Sequence, residues 1–114
     1  MTVREIVARV RLSVNDTHTE NPRWKDEVLI GYLNDAIRDF VRLRPDLRVQ
    51  NDGSLTTVNA VTAIGDTVGL PRDLMLALVN YVAEQVFSED SAETANADRA
   101  KFHGAAWRET MIGA

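Results

Sequence analysis

The chain has 114 residues, of which 45% are hydrophobic and 26% are charged, and it contains no cysteine. A chain of this length forms one domain with a modest core, and the lack of cysteine excludes disulfides, thiolate metal sites and cysteine nucleophiles. The net charge is −4, and it arises in residues 49–114, which carry nine acids and four bases.

The charge distribution and the apolar runs limit the classes of partner. The sequence shows no strongly basic patch, and this argues against a nucleic-acid-binding module. Charges interrupt the first residues, Met1–Glu5, and the longest apolar run, Leu74–Val79, is too short to cross a bilayer. We therefore expect no signal peptide, no membrane span and no membrane partner.

Two amphipathic helices are predicted in the first half of the chain. The first spans about Val3–Ser13, and Thr2 with Glu5 matches the capping-box pattern T-x-x-E. Its apolar stripe at helical spacing consists of Val3, Ile6, Val7, Val10 and Val14. The second helix spans about Asp26–Leu43 and ends before Pro45, because the residue that precedes a proline disfavours helix. Its apolar stripe consists of Leu29, Leu33, Ala36, Ile37, Phe40 and Val41.

A β-hairpin is predicted after the second helix. β-Branched residues recur over Leu55–Thr62, Gly65 can form a turn, and Thr67–Leu70 follows as a short second strand. An isolated two-stranded ribbon is marginally stable. We therefore expect an arm over about residues 55–70 that is mobile in the free protein.

The second half of the chain predicts two further helices. The third spans about Arg72–Phe87 and is apolar on most of its circumference, which is typical of a helix buried in a core or by partners. The fourth spans about Ser91–Met111, and its alanines permit close approach to a neighbouring helix. The predicted fold is mainly α, a four-helix bundle with an inserted β-hairpin, in a single domain over residues 1–114.

No motif in the sequence predicts catalysis or a metal site. His18 lies in a polar loop and is best interpreted as a solvated side chain, and His103 on the fourth helix as a surface or interface side chain. Gly65 and Gly69 lack the lysine of a phosphate-binding loop. The sequence therefore predicts no enzyme and no cofactor.

Three sets of residues remain as candidate contact sites. Arg4, Arg9 and Arg11 lie along the first helix and could pair with the acidic half of a neighbouring copy. Trp107 and Met111 form an apolar ridge that either completes the core or anchors a partner. Five acids near the junction of the last two helices lack calcium-loop spacing and mark either a solvated corner or the wall of a channel: Glu84, Glu89, Asp90, Glu93 and Asp98.

The order of short motifs resembles the head-to-tail adaptor proteins of tailed bacteriophages, also called head-completion or portal gatekeeper proteins. The resemblance extends from about Ile6 to Ile112. It rests on Arg23-Trp24, Leu33–Ala36, Arg44–Asp46, Gly65–Thr67, Leu70-Pro71, Ala77–Val82, Ser88-x-Asp90, Asn96, Arg99-Ala100 and Phe102.

The resemblance implies a structural protein of the virion, made in the bacterial cytoplasm and located at the head–tail interface. It implies an adaptor-type bundle that binds the portal protein as a ring, typically of twelve copies, and contacts a tail or nozzle protein. DNA would pass through the lumen without specific binding, along the five acids named above.

For an adaptor of this kind, the chain's own residues predict the contacts with each partner. Portal binding would involve Trp107, Arg108, Met111 and Ile112. The arm would contact a neighbouring subunit or the tail through Thr57, Val58, Val61, Ile64 and Val68. A tail-tube completion or neck protein and a small helical regulatory protein-binding module are the alternatives; a lytic enzyme would need a carboxylate pair in a cleft.

Overall fold

The structure, a computed structural model, describes residues 1–17, 20–50, 52–89 and 94–113. It contains four α-helices: α1 (Val3–Ser13), α2 (Asp26–Leu43), α3 (Met75–Glu89) and α4 (Thr94–Ile112). Short 3₁₀ helices at Pro45–Arg48 and Arg72–Leu74 follow α2 and precede α3. The helical part of the predicted fold is confirmed.

The first two helices begin and end where the sequence predicts. Thr2 and Glu5 form the capping box, in which the Thr2 N–H donates to Glu5 Oε1 at 3.1 Å and the Glu5 N–H donates to the Thr2 hydroxyl at 3.3 Å. The Thr2 N–H and the nearby Arg72 guanidinium, 2.8 Å from Glu5 Oε2, together lower the pKa of Glu5. Through Glu5, the capping pair therefore links the start of α1 to the 3₁₀ helix that precedes α3.

Helix α3 is the central element of the core. Nine of its side chains are buried, and α1, α2 and α4 all pack against it. The amphipathic stripes of α1 and α2 supply the facing residues, among them Ile6, Val10, Leu33 and Phe40. The monomer thus covers most of the apolar surface of α3 with its own helices, although Leu76 remains 66% exposed.

The predicted β-hairpin over residues 55–70 is wrong. In the part of the chain that the structure describes, the only β pairings are two isolated antiparallel bridges, Thr2 with Thr67 and Val49 with Leu55. The two legs of the arm do not hydrogen-bond to each other as strands. Each leg instead binds a different neighbour.

The first leg is held by a side chain of α2. The Asn34 amide donates to the Val61 carbonyl and accepts from the Val61 N–H, both at 2.8 Å. This pair of bonds satisfies the backbone of Val61 as a neighbouring strand would. Val61 is 3% exposed, so the bonds hold its side chain in the core.

The turn and the second leg are held by the N-terminus. The N–H groups of Val3 and Arg4, which have no partner within α1, donate to the carbonyls of Asp66 and Ile64 at 2.9 Å. The Asp66 carboxylate accepts from the N–H groups of Thr62 and Ala63, and these bonds lower the pKa of Asp66. The arm therefore lies against the body rather than projecting from it.

A buried carboxylate organises the connection between α1 and α2. Asp16 is 6% exposed and accepts hydrogen bonds from the backbone N–H groups of Arg23 and Trp24, both at 2.9 Å. Arg11 lies 2.8 Å from the same carboxylate and also donates to the Trp24 carbonyl. These bonds fix both ends of the connection against α1.

The boundaries of the last two helices differ from the predicted ones at their first turns. Residues 72–74 form a 3₁₀ turn rather than the start of α3. Helix α4 extends to Ile112, and the predicted start at Ser91 lies outside the described residues.

We expect Asn34→Ala to lower the free energy of unfolding by about 1–3 kcal/mol, because it leaves two partly buried backbone groups of Val61 without partners. Hydrogen exchange should show loss of protection at the Val61 amide, and urea denaturation measures the stability change. Asn59→Ala is the matched control, since Asn59 is exposed on the same leg. Equal stability of the two variants would show that Asn34 does not hold the arm.

Candidate interaction surfaces

The C-terminal half of α4 is part of the monomer core. Trp107 and Met111 are 8% and 5% exposed. The Trp107 ring packs against Phe40 and Tyr81, with centroid distances of 5.6 and 5.1 Å. Of the two open interpretations of Trp107, the structure shows the core contact, and portal binding through it stays a prediction.

A polar cluster covers the outer side of Trp107. The indole N–H donates to Glu84 Oε1 at 2.9 Å, and Arg108 donates to Glu84 Oε2 at 3.1 Å. The Arg108 guanidinium also lies 4.9 Å from the Trp107 ring centroid, within cation–π distance. Of the four residues predicted to bind the portal, Ile112 and Arg108 remain on the surface, with Ile112 52% exposed and the Arg108 side chain 47% exposed.

Gly104 makes room for this cluster. A Cβ atom at residue 104 would lie 2.0 Å from Glu84 Oε2 and 2.8 Å from an Arg108 nitrogen. Any larger residue would have to displace the carboxylate that accepts from Trp107. Sequence reasoning missed this position, although a glycine inside a long helix signals either a close approach or a destabilised turn.

The five predicted channel acids do not form one exposed group. The Glu84 side chain is 14% exposed and is occupied by Trp107 and Arg108. Glu89 and Asp98 are exposed, and neither forms an ion pair with another described residue. Asp90 and Glu93 lie outside the described residues. A role in a channel therefore stays a prediction, and Glu89 and Asp98 are the described acids that fit it.

His103 is half-buried between α3 and α4. Its Nδ1 atom lies 2.9 Å from Asn80 Oδ1, and its ring stacks on Phe87 at 5.7 Å. Burial lowers the pKa of His103 and so favours the neutral ring. The residue packs between two helices rather than lying on the surface, and His18 lies outside the described residues.

The arm presents a mixed surface. Val61 and Val68, at 3% and 2% exposed, belong to the core, and Val58 and Ile64 pack partly against it. Thr57 is exposed. Residues 57–60 donate no backbone hydrogen bond to another described residue, so this part of the first leg is an open edge. The side chains of Val61 and Val68 face inward, whereas the exposed side chain of Thr57 and the backbone of residues 57–60 are available to a partner.

The described part of the chain contains neither a cluster of metal ligands nor a helix that could span a membrane. No three histidine, aspartate or glutamate residues within it are placed to hold a metal ion together. None of its helices combines the length and the hydropathy that a bilayer crossing requires.

We expect Gly104→Ala to lower the free energy of unfolding by about 1–2 kcal/mol, because it displaces Glu84 and leaves the buried Trp107 N–H unpaired. Gly31→Ala is the matched control on the exposed face of α2, where nothing lies within 4 Å of the new Cβ. That variant should be more stable by about 0.5–1 kcal/mol, the usual gain in a helix. Thermal denaturation followed by circular dichroism shows whether each variant gains or loses stability. Stabilisation by both variants would contradict the role of Gly104.

Comparison with known proteins identifies the family. The family model of the SU10 adaptor protein matches residues 1–108, which is nearly the whole chain. No curated protein and no solved structure matches this chain. The matched region contains all of α1–α3, the arm, and the part of α4 with Gly104, Trp107 and Arg108. The chain therefore belongs to the SU10 adaptor family of phage head–tail adaptor proteins.

Proposed function

We propose that this protein binds beneath the portal as a ring of about twelve copies, connects the head to the tail, and forms part of the DNA conduit. The observation that carries the proposal is the family match over residues 1–108. The helical body without a metal cluster in its described part is consistent with a structural role. Mixing the protein with purified portal, followed by sizing and electron microscopy, tests the ring directly.

The proposed portal contact is made by the exposed end of α4. Ile112 is half-exposed beyond the buried Met111, and Arg108, which is paired with Glu84, lies one turn earlier with its side chain 47% exposed. An apolar side chain beside an arginine is typical of an anchor at a protein interface. Trp107 and Met111 support this contact from inside, since they fix the end of the helix to the core.

The proposed conduit wall includes Glu89, at the end of α3. Its carboxylate is exposed and carries a charge of the same sign as the DNA backbone. Like charge on a channel wall prevents adhesion of the passing DNA. Glu84 is not part of this wall, because its carboxylate already binds Trp107 and Arg108.

We expect Ile112→Asp to abolish portal binding while the helical content and the melting temperature stay close to those of the unchanged protein. The comparison variant is Met111→Ala, which removes a buried side chain and should cost about 2–5 kcal/mol of stability. Portal binding is measured by co-sedimentation and folding by circular dichroism. Normal binding by a folded Ile112→Asp protein would disprove the docking role of this end.

The arm is the proposed contact with a neighbouring subunit or the tail protein. We expect the amides of residues 57–60 to exchange rapidly in the free protein and to gain protection in the assembled ring, because a partner strand would pair with this open edge. The Val61 amide is the internal control, since Asn34 already binds it in the monomer. Unchanged exchange at residues 57–60 after assembly would exclude the arm from the contact.

A further inference from the structure

The outer face of α1 is basic and partly apolar. Leu12 is 71% exposed, and Ala8 lies one turn before it on the same ridge. Arg4 and Arg9 are exposed on either side of this ridge, and neither forms an ion pair with another described residue. We call these four residues the basic face.

Two other charged residues of α1 do not alter the sign of the basic face. Glu5 lies next to it, but its carboxylate binds Arg72 at 2.8 Å. Arg11 turns toward the core side and binds Asp16 and Asp26. Arg4 and Arg9 therefore carry the charge that a partner would meet.

The outer face of α4 is acidic and partly apolar. Asp98, Phe102, Ala105 and Glu109 follow at helical spacing and are all exposed. Phe102 is 69% exposed and supplies most of the apolar surface among these residues. Three bases flank these residues. Lys101 lies at the edge, Arg99 lies 5.8 Å from the Phe87 ring centroid, and Arg108 is paired with Glu84. We call the four residues the acidic face.

The two faces belong to different sides of one subunit. Helices α1 and α4 both pack against α3, and they make almost no contact with each other. Within one subunit the basic face and the acidic face therefore do not pack against each other. Each stays free to contact the opposite face of another copy. Contacts of this head-to-tail kind form rings when the rotation between neighbouring copies closes, and open filaments when it does not.

We propose that the basic face of each copy packs against the acidic face of the next copy in the ring, with Leu12 against Phe102. This inference rests on the proposed ring and names its subunit interface. Apolar side chains at the centre and opposite charges at the rim give the contact its area and its direction. Asp98 then lies between subunits rather than in the lumen.

The test uses two charge-reversed proteins assembled on purified portal. The first carries Arg4→Glu and Arg9→Glu, and the second carries Asp98→Lys and Glu109→Lys. Each alone should show about a tenfold or greater loss of bound copies, because like charges would then meet at every contact. All four positions are exposed, so circular dichroism should show that both proteins remain folded.

Mixing the two proteins should restore the ring. In an alternating ring each reversed face meets an oppositely charged face, so native mass spectrometry should find equal numbers of the two proteins and an even total. The matched control replaces exposed acids outside α4, with Glu27→Lys and Asp73→Lys. This control should form rings alone. In a mixture with the first variant, its rings should contain no copies of that variant.

The outcomes separate the two levels of the proposal. Rings formed by either reversed protein alone, or a mixture that stays unassembled while the unchanged protein forms rings, would overturn the interface and leave the proposed function intact. Failure of the unchanged protein to bind portal would overturn the proposed function and the interface with it. Restored, alternating rings would support both.

Discussion

The apolar surface of α3 is the constraint on which the rest of the structure depends. Nine of its fifteen residues are buried, and they occur on most sides of the helix. A single layer of helices could not cover such a surface. The chain covers it with α1, α2 and α4, and the arm contributes Val61 and Val68. The order and the amphipathic stripes of the other elements follow from this one requirement.

The arm meets a second constraint, which is the hydrogen bonding of its backbone. An extended segment that enters a core must find partners for its N–H and carbonyl groups. Here those partners come from Asn34, from the Asp66 carboxylate and from the first turn of α1. Because each leg has its own partner, the two legs have no need to pair with each other. The result is an arm that is part of the monomer along one side and open along the other.

Local signals in the sequence were sufficient for the first two helices. The capping box of Thr2 and Glu5 and the proline after Arg44 mark boundaries that the structure reproduces at Val3–Ser13 and Asp26–Leu43. The buried stripes of both helices also follow directly from their spacing. These features depend on residues within a few positions of one another, and sequence reasoning handles such features well.

The errors concern contacts between distant parts of the chain. The β-branched residues of the arm predicted a β-hairpin, and they could not reveal that Asn34, 27 positions away, would bind the backbone of Val61 in place of a second strand. Trp107 posed the same problem, since its place beside Phe40 and Tyr81 depends on how α4 crosses the bundle. A polar asparagine inside α2 and a glycine inside α4 were the available hints, and each has meaning only once its partner is known.

The carboxylate of Asp16 has a consequence for how the family can change over evolutionary time. It binds the chain on both sides of the connection between α1 and α2, at Arg11 and at the N–H groups of Arg23 and Trp24. The stretch between these fixed points can therefore gain or lose residues at little energetic cost, since loop closure depends only weakly on length. Insertions there would leave both helices in register. The connection is thus a suitable place to graft an epitope.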